Sequence, residues 1–342
     1  MLDKEFGDRN HLKGLGLVSG GLDSLTACLL LKLQGIEIVG LNFKSPFCQC
    51  DKVLSHSECG LNLFYDKLGM EIHTQVKGDD YLEIIRKPKF GYGKNLNPCI
   101  DCRIYILKKA KEYGEKIGAD FIFTGEVLNQ RPKSQNLKAL GIVEIESGLS
   151  GKLLRPLSAL HLNPTILEEK GLIDRSKLSD IRGRSRKKQI ELARKHGLLQ
   201  NYTACGGCLL TDKSFANRMR DYLKFNEELK MEDIPILKYG RHFRYKKSKI
   251  IVGRNEGENN ILIQIKKPQD IIMETKDIAG PITIIQEPFD EEALDIAAML
   301  TLRYSDLTDT AGDVVYGKHY DVLTNQKTTK KASEDLIKKY IL

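Results

Sequence analysis

The sequence predicts an α/β fold, a doubly wound parallel sheet followed by a smaller α+β domain, on three observations. Up to Gly125, short apolar runs alternate with helical patterns, and βα repeats of that kind build parallel sheets with helices on both faces. The first run ends in Ser19-Gly20-Gly21 and opens directly into an apolar helix. After Pro235 the texture changes to short strand-like runs separated by turns.

Residues 15–18 form a continuous apolar run, the pattern of a strand buried on both faces. Residues 22–34 have few polar interruptions and predict a helix packed on the sheet. A second parallel strand is expected over 37–43, and the loop after it carries Cys48, Cys50, His56 and Cys59. A helix near 61–68, a third strand over 71–76 and a short helix over 79–86 follow. Residues 87–98, rich in Gly, Pro and Asn, read as a loop. From Cys99, the residues Ile106, Ala110, Tyr113 and Ile117 recur at helical spacing until Gly118, and 120–124 is a fourth strand ending at Gly125. Turns punctuate 141–180. Ser185 is placed to cap a helix over 186–196 that Gly197 ends, and 215–223 predicts another. That helix closes a first domain, 1–225. In the second domain, 226–342, the runs 249–252 and 261–265 are expected to flank the turn 253–260 as a hairpin. A strand over 281–286, a helix over 291–302, a strand over 314–317 and a helix over 333–341 complete it.

The chain has 342 residues, enough for two domains, with 41% hydrophobic and 29% charged residues, the balance of a globular protein. The first ten residues are polar and mixed in charge, unlike a signal peptide. The most apolar stretch, 22–33, is too short to span a bilayer and is broken by Asp23, Ser24 and Lys32. A cytoplasmic protein with no membrane partner is therefore expected. In such a compartment eight cysteines point to metal or catalytic use rather than to a disulfide framework. The formal charge of +8 permits nucleic-acid binding without requiring it.

Two glycines between a buried strand and a helix let backbone approach a ligand, and the helix aims its unpaired N–H groups at that ligand. An anion such as phosphate suits both features. No lysine follows the glycines, so this is not the Gly-x4-Gly-Lys loop of common NTPases. The bland alternative is a plain strand–turn–helix with Asp23 or Ser24 as a cap. Ligands of doubly wound sheets sit at the carboxyl ends of the strands. Those ends hold Ser19–Ser24, Gly125, and Asn42 with Phe43, where a nucleotide base could lie. Cys99-Ile-Asp-Cys102 and Cys205-Gly-Gly-Cys208 are Cys-x2-Cys pairs that the fold must bring together to act jointly. Three chemistries fit them: a closed four-cysteine zinc site, a persulfide with a resolving thiol, and an iron–sulfur cluster on three cysteines. Cys48, Cys50, His56 and Cys59 match no standard zinc finger and are either a zinc site or loop thiols. Cys28, inside an apolar helix, reads as packing. The run Arg182–Lys188 is either a solvated face or a phosphate contact, and Gln130, Arg131 and Lys133 could also reach a substrate. Arg241-His-Phe-Arg-Tyr245 is either a stacking platform or a strand with Phe243 and Tyr245 inward.

Ser19-Gly20-Gly21-Leu22-Asp23-Ser24 resembles the SGGxDS loop of the PP-loop ATP-pyrophosphatases, whose adenine-nucleotide alpha-hydrolase-like fold activates an oxygen by adenylation and releases pyrophosphate. Asn97-Pro98-Cys99-Ile100-Asp101-Cys102, Gly118-Ala119-Asp120 to Thr124-Gly125, and Gly206-Gly207-Cys208 follow in the order of bacterial tRNA 2-thiouridylases. A group of 4-thiouridine synthase-like proteins is similar too, and residues 240–320 resemble an NFACT-type RNA-binding module. The resemblance implies that Ser19, Gly20, Gly21, Asp23 and Ser24 hold the ATP phosphates, with Asp23 near Mg2+. It makes Cys102 and Cys208 the first and second active cysteines. Cys99 stands where those enzymes often have Asp. A third cysteine there resembles the thiolases in which a trio, here Cys99, Cys102 and Cys208, holds a [4Fe-4S] cluster whose open iron carries sulfur. Cys205 stands outside that trio, and the persulfide-or-cluster question stays open. No THUMP domain precedes the loop, which leaves the target nucleoside open. The activity implied is an ATP-dependent sulfurtransferase acting on RNA, in the first place a tRNA uridine, with sulfide or a persulfide carrier as donor. Two other functions fit the loop: a ligase or amidating enzyme with structural Zn2+, and a non-catalytic RNA-binding protein that senses nucleotide.

Overall fold

The computed structural model describes residues 12–48, 67–199 and 207–342. Cys50, His56, Cys59, Cys205 and most of the helix expected near 61–68 lie outside the described residues. The chain divides into two compact units, Met1–Thr211 and Asp212–Leu342.

In the first unit β1 (Lys13–Leu17), β2 (Glu37–Lys44), β3 (Glu71–Val76), β4 (Phe121–Thr124) and β5 (Leu153–Leu154) form a parallel sheet in the order β3-β2-β1-β4-β5. The chain moves outward from β1 through β2 to β3, then crosses to β4 on the other side. That reversal opens a crevice beyond the carboxyl ends of β1 and β4. Helix α1 (Leu22–Lys32) is apolar on nearly every side because it is buried nearly all round; Leu25, Ala27, Cys28 and Leu31 pack in one core with Phe121 and Phe123. Cys28 is thus a packing residue. On the opposite face, Ile104, Leu107 and Ala110 of α3 (Cys99–Lys116) pack against Leu15, Leu41 and Ile122. The short helix α2 (Asp79–Arg86) precedes it.

The segment expected to hold turns contains a helix, α4 (Leu137–Ser147). Gly141 and an almost absent amphipathic pattern disguise it, yet Asn136 caps it by accepting the Ala139 amide at 2.9 Å. The basic helix α5 (Lys187–Lys195) begins one turn position later than Ser185 predicts, with Arg186 at its N-cap.

Helix α6 (Lys213–Phe225), placed with the first domain by the sequence reading, falls in the second unit, where Arg218 donates to the Leu237 carbonyl at 2.9 Å. This unit carries an antiparallel sheet in the order β11-β10-β8-β9-β7-β6. Its strands are β6 (Arg241–Tyr245), β7 (Ser248–Val252), β8 (Ile271–Thr275), β9 (Thr283–Gln286), β10 (Ala311–Gly317) and β11 (Asn325–Lys330). The expected hairpin of 249–252 with 261–265 is not formed. β7 pairs with β6, and Glu256–Ile265 is helix α7, because Asn255 accepts the Glu258 amide and Glu256 and Glu258 suit the positive end of a helix. Helix α8 (Glu291–Arg303) buries Leu294, Ala297, Ala298 and Leu300 against the sheet, and α9 (Glu334–Tyr340) closes the fold. No helix among the described residues is long and apolar enough to cross a membrane.

Candidate active site

β1 delivers the chain to Ser19, and Gly20 turns it at φ +78°, a conformation that glycine adopts without strain. Gly21 is the N-cap of α1 and provides no side chain, so the helix end is tied instead by Ser24, whose Oγ donates to the Gly21 carbonyl at 2.9 Å. The Ser19 amide donates back to Ser24 Oγ at 3.3 Å, which fixes the loop's curvature. A side chain at Gly125 would place Cβ 2.6 Å from the backbone of Asp23 and Ser24. The end of β4 is therefore pressed directly against the loop. Asn42, buried at the end of β2, donates to the Val18 carbonyl at 2.8 Å and sets the other wall.

These pieces border one cavity of about 490 Å³, lined by Ser19, Asp23, Ser24, Asn42, Phe43 and Gly125 and reached from the far side by Cys208. Asp23 is held by neutral amides: Gln130 donates to Oδ2 at 3.0 Å and Gln189 to Oδ1 at 3.1 Å. Arg186 stands 3.9 Å from Oδ2. Gln189 is fully buried, and among the described residues its Oε1 has no hydrogen-bond partner. Sequence reasoning missed it. The available signal was that Gln189 shares with Ala193 the one buried face of an otherwise charged helix.

The cysteine side is built by the first turn of α3. The Asp101 carboxylate is buried there and accepts the Lys89 amide at 2.8 Å and the Phe90 amide at 3.1 Å, anchoring the preceding loop. Cys102 Sγ receives a hydrogen bond from Lys77 Nζ at 3.0 Å and another from the Tyr81 hydroxyl. Lys77 is itself buried, 5% exposed, with its ammonium 4.2 Å from the centre of the Tyr81 ring. Burial alone would raise the Cys102 pKa, but the Lys77 charge and these hydrogen bonds outweigh it and hold the thiol below its ordinary value. At Cys208 burial outweighs a backbone hydrogen bond from Leu210 and the more distant Lys77 charge, and pushes the thiol up to about 11. Cys99 is likewise raised, by burial and then by negative charge on Cys102. Of the three, Cys102 is therefore the most readily ionised. Lys77 and Tyr81 were not singled out from the sequence, because neither lies in a motif.

The loop bearing Cys208 is held by strand-like contacts: Leu209 N donates to the Phe47 carbonyl at 2.8 Å and Leu96 N to the Leu210 carbonyl at 3.1 Å. Of the looser cluster after β2, Cys48 is described, and it pairs across an isolated antiparallel bridge with Cys208. Among the described residues no three donors converge to hold a metal ion, and Cys102 Sγ is already engaged by two hydrogen-bond donors.

A buried carboxylate couples the two halves. Glu126, next to Gly125, pairs with Arg103 of the cysteine helix at 3.0 Å and with Arg155 at 3.1 Å. Burial would raise its pKa, and the two guanidinium charges reverse the shift. The basic run is more dispersed: Lys188 pairs with Asp180 at 2.6 Å, and Arg182 bridges the backbone at Leu128. Arg131 lines the cavity beside Gln130, while Lys133 does not. In the second unit Phe243 is fully buried, so Arg241–Tyr245 is a strand rather than a stacking platform.

Residues 10–168 match the family model described as thiamine biosynthesis protein (ThiI), on a segment that carries both the glycine loop and the first cysteine pair. The first unit is a PP-loop domain. Residues 240–341 match the NFACT protein RNA binding domain, so the PP-loop domain is followed by an NFACT-type module. The tRNA-specific 2-thiouridylase MnmA of Proteus mirabilis is 32% identical over 148 residues, 39% of this chain and 39% of that protein. The enzyme of the same name from Marinobacter nauticus is 29% identical over 147 residues, 38% and 36% of the two chains. The similarity thus spans about two-fifths of these relatives. Among solved structures, a 4-thiouridine synthetase–RNA complex with bound ATP aligns over 66% of this chain and 52% of that one, at 19% identity and TM-score 0.39. NMN synthetase from Francisella tularensis aligns over 56% and 87%, at 13% identity and TM-score 0.27.

Proposed function

We propose that the protein is a cytoplasmic ATP-dependent sulfurtransferase that adenylates a nucleobase carbonyl of RNA, a tRNA uridine, and replaces its oxygen by sulfur. The observation that carries this reading is that Cys208 opens onto the same cavity as the Ser19–Ser24 loop. A carbonyl oxygen is a poor leaving group, and its attack on the α-phosphorus of ATP makes it an AMP ester, able to leave later as AMP, while pyrophosphate departs. The loop amides and the N-terminus of α1 would bind the phosphates, and Asp23 would hold the Mg2+ that offsets their charge. Asn42 and Phe43 would border the adenine.

Cys208, facing the cavity, would carry sulfur as a persulfide whose outer sulfur is transferred from a persulfide carrier, the carrier leaving as its thiol. Its terminal sulfur attacks the activated carbon and AMP leaves. The Cys102 thiolate then attacks Cys208 Sγ, releasing the thiocarbonyl and leaving a Cys102–Cys208 disulfide. Lys77 and Tyr81 lower the Cys102 pKa and so favour the thiolate that this step requires. A [4Fe-4S] version would draw on Cys99, Cys102 and Cys208 to hold a cluster that would carry the incoming sulfur. Iron and acid-labile sulfide in anaerobically purified protein would support that version, and their absence would leave the persulfide route. The NFACT-type module supports an RNA substrate.

Mass spectrometry of tRNA nucleosides from cells lacking the protein tests the assignment: loss of one thionucleoside supports it, and an unchanged set contradicts a tRNA target. Zinc at one per chain without thiolation would favour a ligase on the same loop instead. A protein that binds RNA and ATP but releases no pyrophosphate would be a nucleotide-sensing binder.

A further inference from the structure

We infer that Cys48 is the recycling thiol of the site, forming a reversible cross-strand disulfide with Cys208. The inference rests on the persulfide route above for its place in the cycle, and on backbone geometry for its feasibility. Cys48 and Cys208 are antiparallel bridge partners. The bond that holds them is Leu209 N to the Phe47 carbonyl at 2.8 Å, one residue outside the pair on each side. The Cys48 amide is directed to the Ser45 carbonyl at 3.0 Å, and the Cys208 carbonyl accepts the Thr211 amide at 2.9 Å. The two cysteines thus form a non-hydrogen-bonded pair, whose Cα atoms lie about 4.5 Å apart with both side chains on the same face. That spacing falls in the range disulfides span, about 4.4–6.8 Å.

The chemistry gives the pair a use. Turnover leaves Cys208 bonded to Cys102, and the site cannot work again until that bond is broken. The Cys48 thiolate attacks Cys208 Sγ, a Cys48–Cys208 bond forms, and the Cys208–Cys102 bond breaks with its electron pair left on Cys102. That sulfur is the one with two donors aimed at it, Lys77 Nζ at 3.0 Å and the Tyr81 hydroxyl, so it is the favoured leaving group. The exchange is electron-neutral. An external dithiol then supplies two electrons to the Cys48–Cys208 disulfide and restores both thiols.

Full-length protein oxidised with oxidised glutathione, alkylated and digested without reduction tests this directly. The expected result is a peptide containing Cys48 joined to one containing Cys208 as the main linkage, replaced by Cys102–Cys208 in Cys48→Ser. A wild-type linkage confined to Cys102–Cys208, or Cys48 joined instead to Cys50, would overturn the inference. This readout needs no RNA, so it stands apart from failure of the thiolation assignment. In a thiolation assay Cys48→Ser is expected to stall after its first turnover, with steady-state rate at least ~10-fold below wild type under a dithiol reductant. Equal steady-state rates would also overturn it.

Discussion

Both units bury charge, and they use it differently. In the second unit the Asp221 carboxylate takes Arg244 at 2.8 and 2.6 Å and Lys249 at 2.9 Å. Arg244 also donates to the Lys247 carbonyl at 2.6 Å and lies 4.2 Å over the Phe225 ring. Lys249 is so enclosed that its pKa falls to about 8, chiefly through burial. In the first unit Asp23 is steadied by neutral amides and faces a cavity, Gln189 keeps an oxygen with no partner among the described residues, and Cys102 is held below its ordinary pKa. The second cluster spends its polar capacity internally, whereas the first keeps some in reserve. Reserved capacity beside a cavity marks a site better than charge density does.

The largest effect expected of that contrast is at Cys102. Cys102→Ser should lower thionucleoside formation by at least ~10³-fold while ATP and RNA still yield pyrophosphate. Loss of pyrophosphate release as well would mean that the cysteine site and the loop are not separable steps. In the second unit Phe243→Ala should remove ~3–5 kcal/mol of stability in denaturant unfolding, because the ring is fully buried. A stable variant with weakened RNA binding would instead restore the stacking reading. Asp221→Asn should cost on the order of 3 kcal/mol by leaving Arg244 and Lys249 without their counter-charge. Asp221 has a lowered folded pKa, from the Arg244 and Lys249 contacts working against burial, so its contribution is present above the unfolded value and lost as pH falls through the folded one. The stability gap between wild type and Asp221→Asn should therefore shrink on acidification below about pH 4, and a constant gap would contradict the pairing. The smallest effect is at Gly125: Gly125→Ala, forced against Asp23 and Ser24, should weaken ATP binding by about 1–3 kcal/mol in calorimetry with little loss of RNA affinity.

Much of the first unit was legible because its signals are local. The apolar runs around Leu15, Val39 and Phe121, the glycines at 20 and 21, and the start of α3 at Cys99 each follow from a few neighbouring residues. The second unit was less so. Residues 261–265 are a short apolar run that passes for a strand, and the Asn255 cap upstream decides for helix. The partners that give the site its chemistry were not legible at all. Lys77 and Tyr81 reach Cys102 from α2 and the turn before it, and Gln189 reaches Asp23 across 166 residues of sequence. Such contacts depend on how the sheet stacks its loops. The link between Cys48 and Cys208 is of the same kind.

The central claim is that the glycine loop and Cys208 serve one reaction in one cavity. Single-turnover measurement of pyrophosphate and thionucleoside on tRNA, with persulfide-loaded wild type and Cys208→Ser, tests it most directly. The account predicts one pyrophosphate per thionucleoside in wild type, and pyrophosphate without thionucleoside in the variant. Thionucleoside formed by Cys208→Ser, or pyrophosphate released by wild type with no sulfur transferred, would contradict it.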